Sequence, residues 1–100
     1  MLVDFDSDDL RRLYEELDFR LPSFGSDLTR AFRKVVGFVQ RAADERDLYA
    51  MKSLHYEKLE GSRAGQRSLR LNDQWRLIVR LRQGQDGTKT VVGIEVADYH

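Results

Sequence analysis

The chain contains no cysteine, which excludes a disulfide framework, a thiolate nucleophile and any cysteine-based zinc site. Proline occurs once, at Pro22, and the seven glycines are scattered, so no linker divides the chain. No apolar run approaches the roughly 20 residues that cross a bilayer, and the start Met1-Leu2-Val3-Asp4-Phe5-Asp6 lacks the basic segment of a secretory signal. A cytoplasmic protein without a membrane partner is expected. Only two histidines occur, His55 and His100, and no close carboxylate spacing joins them into a ligand set, so no metal is expected. Walker, GxGxxG and GxSxG motifs are missing too, which leaves no expected cofactor and nothing that points to nucleotide hydrolysis or acyl transfer.

What is present fits one domain over residues 1–100, with 41% hydrophobic and 34% charged residues, hence a thin core under elements with one wet face. Formal net charge is zero, but it is unevenly spread. Residues 1–50 carry 8 Lys and Arg against 11 Asp and Glu; residues 51–100 carry 9 against 6. Between Lys58 and Arg82 there are seven basic residues and two acidic ones, a local excess of the kind that steers polyanions.

Leu2-Val3-Asp4-Phe5 reads as a short strand, and Asp6-Ser7-Asp8-Asp9 offers caps for a helix with Leu10, Leu13 and Leu17 on one face. Pro22 and Gly25 break the pattern, and Ser26 or Asp27 is expected to cap the next helix. From Asp27 to Ala43 the apolar residues Leu28, Ala31, Phe32, Val35, Val39 and Ala42 recur at helical spacing. A short capped helix follows at Asp44 to Met51, and then an irregular connection from Ser53 to Gly61. The period then changes to two. Arg67, Leu69 and Leu71 alternate with Gln66, Ser68 and Arg70, and Trp75, Leu77, Val79 and Leu81 alternate with Arg76, Ile78, Arg80 and Arg82. Asn72-Asp73 makes a tight turn between these strands, and Thr88 to Val96 forms another. The expected class is α+β: two N-terminal helices on a small twisted antiparallel sheet of three to four strands.

If the Trp75 row packs on the helices, Arg76, Arg80 and Arg82 project from the other face beside Arg70, where guanidiniums can bind phosphates bidentately. An ordinary solvated sheet face has the same pattern. Metal-free RNA cleavage needs a base for the 2′-hydroxyl, an acid for the 5′-oxygen and a cation for the phosphate, and His, Tyr, Asp and Lys are all available. By itself the terminal Asp98-Tyr99-His100 also reads as a fraying end.

The segments Leu54-His55-Tyr56-Glu57-Lys58-Leu59-Glu60-Gly61, Arg63-Ala64-Gly65-Gln66, Ser68-Leu69-Arg70-Leu71-Asn72-Asp73-Gln74-Trp75-Arg76-Leu77 and Glu95-Val96-Ala97-Asp98-Tyr99-His100 together resemble the HigB toxins, or plasmid-maintenance killer proteins, of the RelE/ParE-like group. The resemblance is specific over the second half and extends to the first half in layout. It implies a RelE-like fold and a ribosome-dependent endoribonuclease that cuts mRNA in the decoding site of the small subunit. Such a toxin blocks translation and is held inactive by a HigA-like helix-turn-helix antitoxin. It further implies catalytic roles for His100, Asp98, Tyr99, His55, Lys58 and Arg76. In that reading His100 transfers a proton, Asp98 orients it, and His55 or Tyr99 serves the complementary transfer or base stacking. Lys58 and Arg76 stabilise the phosphate. Arg63, Arg67, Arg70, Arg80 and Arg82 are the expected RNA contacts. Strict alternation through Val92, Ile94 and Val96 puts Asp98 and His100 on the apolar side unless the strand bulges or ends near Ala97. Two other readings stay open: a ParE-like gyrase inhibitor without nuclease activity, and an inactive member that retains only antitoxin binding.

Overall fold

The computed structural model describes residues 1–98; Tyr99 and His100 lie outside the described residues, and with them the proton-transfer assignment. In chain order the elements are β1 (Leu2–Phe5), α1 (Asp8–Glu15), α2 (Ser26–Arg41), α3 (Glu45–Ala50), β2 (Glu57–Lys58), β3 (Gln66–Arg70), β4 (Trp75–Gln83) and β5 (Lys89–Asp98). Single 3₁₀ turns occupy Lys52–Leu54 and Gly61–Arg63.

The α+β class is as expected, and several details depart from the sequence reading. The sheet has five strands in the order β1-β5-β4-β3-β2, and it is mixed, because β1 runs parallel to β5 while every other pair is antiparallel. The parallel pair is possible because the helices form the crossover that such a pair requires. Glu57–Lys58, expected to be irregular, adds an edge strand on β3. Leu17 does not share the buried face of Leu10 and Leu13; α1 stops at Glu15 and leaves Leu17 71% exposed.

Local chemistry fixes the helix ends. Ser7 Oγ accepts from the Leu10 N–H, and Asp8 and Asp9 complement the first turn of α1. Gly25, rather than Ser26 or Asp27, is the N-cap of α2 and offers no side-chain bond. Asp44 caps α3 through the Arg46 N–H. At the other end of α1, Arg33 reaches from α2 and donates Nε to the Leu13 carbonyl at 2.8 Å and Nη2 to the carbonyls of Glu16, Leu17 and Phe19. It thereby satisfies acceptors that the helix end would leave unmade.

The core lies between α1–α2 and one sheet face. Leu13, Phe32, Val36 and Val39 meet Leu69, Leu77, Val79 and Val91, all nearly or completely buried. Strand β5 carries a bulge: Ile78 pairs with Glu95 and Val79 with Gly93, so Ile94 is the extra residue. Next to it, the Cδ1–Cε1 edge of the Phe5 ring lies against Gly93; a Cβ there would sit 2.7 Å from Phe5 Cδ1 and 3.0 Å from Cε1. Phe5 is itself buried against Tyr14 and Phe32, and the small cavity of about 10 Å³ that it lines with Gly93 gives its ring little room to shift. Gly93→Ala is therefore expected to cost about 2 kcal/mol through overpacking. In a domain of this size that is a fall in Tm of roughly 10 °C, measurable by thermal melting against wild type.

Candidate functional site

Antiparallel partners share a face, so the register sorts the side chains. Arg76, Arg80 and Arg82 of β4 lie on the face away from the helices, with Arg70 in register with Arg76 and Ser68 with Ile78. On the same face lie Glu57 of β2, Asp4 of β1 and Glu95 of β5. Ile78, Val92 and Ser68 are essentially inaccessible there, although among the described residues α1 and α2 pack on the other face. Arg63 accounts for part of this cover. From its 3₁₀ turn it bonds Gln66 on β3 and pairs with Glu95 on β5, crossing the intervening β4. Its aliphatic stem can shield apolar atoms while its charged end stays wet.

The arginine face is thus a belt of ion pairs. Arg82 pairs with Asp4 at 3.3 Å, Arg80 with Asp6 at 3.1 Å, Arg63 with Glu95, Arg70 with Asp73, and Arg76 with Glu57 at 3.7 Å. The acidic N-terminal segment, which looked separate from the basic half in sequence, is laid across it by the parallel pairing of β1. Asp4 is held below its ordinary value near 3.8, first by the Phe5 N–H and then by Arg82. Pairing with Asp6 pushes Arg80 up.

At one end of this face Arg76, only 15% exposed in its side chain, donates Nη1 to the His55 carbonyl at 3.0 Å and to Ser68 Oγ at 3.2 Å. His55 is the only non-glycine residue with positive φ among the described residues (φ 45°, ψ 48°). This backbone conformation is rare for a residue with a Cβ and is held here by the surrounding bonds. Arg76 is one such bond, so it positions the His55 turn as well as offering charge. The His55 residue is exposed.

The remaining expected site residues are divided. Lys58 is exposed and in register with Arg67, on the helix-side face rather than with Arg76. Asp98 is in register with Trp75 and accepts from Gln74 Nε2 at 3.0 Å. The strand neither bulges nor ends near Ala97, the break that would have brought Asp98 to the arginines; its bulge is at Ile94, and Asp98 stays on the helix-side face. The bulge moves Val92 to the arginine face and leaves Val96 and Asp98 with Leu77 and Trp75. The structure therefore brings His55, Arg70 and Arg76 to the sheet end where β5 finishes, with Asp98 one strand position beyond Ala97, the partner of Arg76.

Arg67 belongs to a different cluster. It lies 3.5 Å from Glu45 Oε2, to which the Tyr56 hydroxyl donates at 2.8 Å, and Lys89 approaches the other oxygen at 3.7 Å. Burial, followed by the Glu45 bond, pushes the Tyr56 phenol well above its ordinary value. The cluster ties α3 to both β3 and β5. Sequence reasoning did not find it, since no local spacing links residues 45, 56, 67 and 89. Among the described residues no group of three His, Asp or Glu side chains could hold a metal ion. No helix among the described residues is long and apolar enough to cross a membrane.

Two outcomes test these assignments. Because the folded state lowers the pKa of Asp4, its contribution is present above the unfolded value near 3.8 and is lost as pH falls through the folded value. Asp4→Asn removes that contribution at neutral pH, so its stability, followed by urea melts between pH 2 and 7, falls less steeply on acidification than that of wild type. Glu45→Ala leaves Arg67 without its carboxylate and Tyr56 without its acceptor; a loss of about 2–3 kcal/mol in the same assay is expected for this mostly buried group.

The comparisons agree with this architecture. A family model described as the RelE-like toxin of the type II toxin–antitoxin system HigB matches residues 3–100. Among solved structures the chain is similar to a YoeB/ParE toxin from Agrobacterium tumefaciens, at 14% identity and TM-score 0.56, covering 100% of both chains. It is also similar to a YoeB–YefM complex from Staphylococcus aureus, at 16% identity and TM-score 0.55, covering 100% of this chain and 98% of the other. At these identities the likeness is one of fold. No curated protein matches in sequence. Given a family model that spans nearly the whole chain and a sheet-and-helix order shared with these toxins, the protein belongs to the HigB-like family of RelE-like toxins of type II toxin–antitoxin systems.

Proposed function

We propose that this toxin is a metal-independent, ribosome-dependent endoribonuclease that cleaves mRNA in the decoding site, inhibits translation in the cytoplasm, and is neutralised by a HigA-like helix-turn-helix antitoxin in a plasmid-maintenance role. The observation that carries the reading is the meeting of an exposed His55, in a strained turn pinned by Arg76, with Arg70 and the end of β5. In the cleavage, a base takes the 2′-hydroxyl proton and that oxygen attacks the adjacent phosphorus. The bond from phosphorus to the 5′-oxygen breaks, and an acid protonates the leaving oxygen. The products are a 2′,3′-cyclic phosphate and a 5′-hydroxyl. In this reading His100 transfers a proton with Asp98 orienting it, and His55 or Tyr99 serves the complementary transfer or base stacking. Arg76 and Arg70 offset charge developing on the phosphate, and Lys58, which lies on the opposite face of the edge strand, joins them only by reaching round that edge. Arg63, Arg80 and Arg82 are RNA contacts once phosphates displace Glu95, Asp6 and Asp4 from them. Arg67 is too engaged with Glu45 to be one of the first contacts.

The internal neutralisation of the arginines favours a second reading, a ParE-like gyrase inhibitor that needs no phosphate face. One experiment separates the two. The chain is induced from a repressed promoter while mRNA 5′ ends are mapped by primer extension and plasmid supercoiling is followed. New 5′ ends are expected, reduced at least tenfold by His100→Ala and by His55→Asn. Asparagine tolerates the left-handed turn, so the second variant tests the imidazole rather than the backbone. Growth arrest without new ends, or ends indifferent to both substitutions, defeats the nuclease reading; altered supercoiling in their place supports the gyrase reading.

A further inference from the structure

The left-handed backbone at His55 persists only where its neighbours hold it on both sides. On the near side the His55 N–H donates to the Lys52 carbonyl at 3.1 Å, and Leu54 is buried. At the residue itself Arg76 holds the carbonyl. On the far side the chain enters Tyr56, which is buried although the edge strand beginning at Glu57 is exposed. Whatever grips Tyr56 therefore sets where His55 points.

The grip comes from α3. Glu45 and Tyr49 lie one turn apart on one face of that helix and take Tyr56 by its two ends. The Tyr56 hydroxyl donates to Glu45 Oε2 at 2.8 Å, and the Tyr49 ring meets the Tyr56 ring edge to face, with centroids 4.8 Å apart. The carboxylate is itself fixed by Arg67 of β3 at 3.5 Å and Lys89 of β5 at 3.7 Å. Burial, followed by the Glu45 bond, raises the pKa of the phenol, so it stays a donor across the neutral range. As filling alone, an apolar cluster of the same volume serves a core as well as buried charges do. A phenol–carboxylate bond adds direction. The strain of a left-handed residue with a Cβ is comparable to the net strength of one such bond, so loss of the hydroxyl is enough to loosen the turn.

We infer, on the nuclease reading of this site, that Glu45 and Tyr56 are positioning residues for His55. The carboxylate holds the phenol, Tyr56 holds the left-handed turn, and the turn presents the imidazole beside Arg76. Neither residue touches the RNA. Arg67 serves the same end by fixing Glu45, which gives a cation of the basic half a task other than binding phosphate.

The test mixes ribosomes carrying an mRNA in the decoding site with an excess of the full chain and follows a single turnover of cleavage by primer extension. Hydrogen exchange of the His55 N–H is measured by NMR on the same proteins. Tyr56→Phe keeps the ring and every ion pair of Glu45. It is expected to slow cleavage at least tenfold, to leave the toxin concentration giving half the maximal rate within twofold of wild type, and to speed His55 exchange at least fivefold. Glu45→Ala is expected to do the same. Glu45→Gln, whose amide oxygen still accepts from the phenol, is expected to recover both rate and protection, and Lys89→Ala, which removes an ion pair but not the acceptor, to change neither. Rate losses that follow the melting temperatures of the four variants rather than the hydroxyl bond overturn the proposal, because a purely structural cluster behaves in that way. Faster exchange without slower cleavage, slower cleavage with unchanged exchange, or a change in the half-maximal concentration alone overturns it as well. A wild type that makes no cut defeats the nuclease reading by itself; unchanged His55 exchange in Tyr56→Phe then defeats the clamp too, and faster exchange upholds it.

Discussion

Strand β5 is the member on which the molecule depends. It must pair in parallel with β1 and in antiparallel with β4, and its ten residues do both because of what happens at Gly93 and Ile94. The missing Cβ at Gly93 lets Phe5 close the core against the backbone, and the extra residue at Ile94 reverses which face the rest of the strand presents. Above this point Val92 lies under the arginine belt; below it Val96 faces the helices. A regular strand would have continued one pattern throughout, and either the core or the ion-pair belt would have lost a residue.

The two charged surfaces follow from that arrangement. Placing β1 beside β5 carries Asp4 and Asp6 to Arg82 and Arg80 across more than seventy residues of sequence. The pairs are half-exposed, so each is worth little by itself, and their main effect is on the potential of the face rather than on the stability of the fold. On the helical side Lys34 and Arg41 have no ion pair among the described residues, although Asp47 lines the same cavity as Arg41.

The helices and main strands were legible because their periods are clean. Leu28 through Ala42 admits no arrangement but a helix, and Trp75 through Arg82 reads directly as a strand with one arginine face. What local pattern could not give was pairing. Nothing in Leu2-Val3-Asp4-Phe5 says that its neighbour is 88 residues away or that the pair is parallel. Glu57-Lys58 is too short for a period to register. Arg76 was legible as a cation on the correct face, but its grip on the His55 carbonyl depends on a left-handed residue that no composition rule foretells. The same limit hid Glu45, Tyr56, Arg67 and Lys89, a cluster assembled entirely by tertiary packing.

The carboxylate belt has a consequence for what the sheet face can discriminate. A guanidinium already holding a carboxylate gives it up only to a ligand that offers more than one anion offers. A lone phosphate or chloride exchanges one pair for another with no gain, and it loses its own hydration in doing so. A chain of phosphates spaced along the strands displaces several carboxylates together, and each exchange after the first is intramolecular. Any anion that binds this face must compete with those carboxylates, which favours a ligand that presents several charges together over the small anions of the solvent.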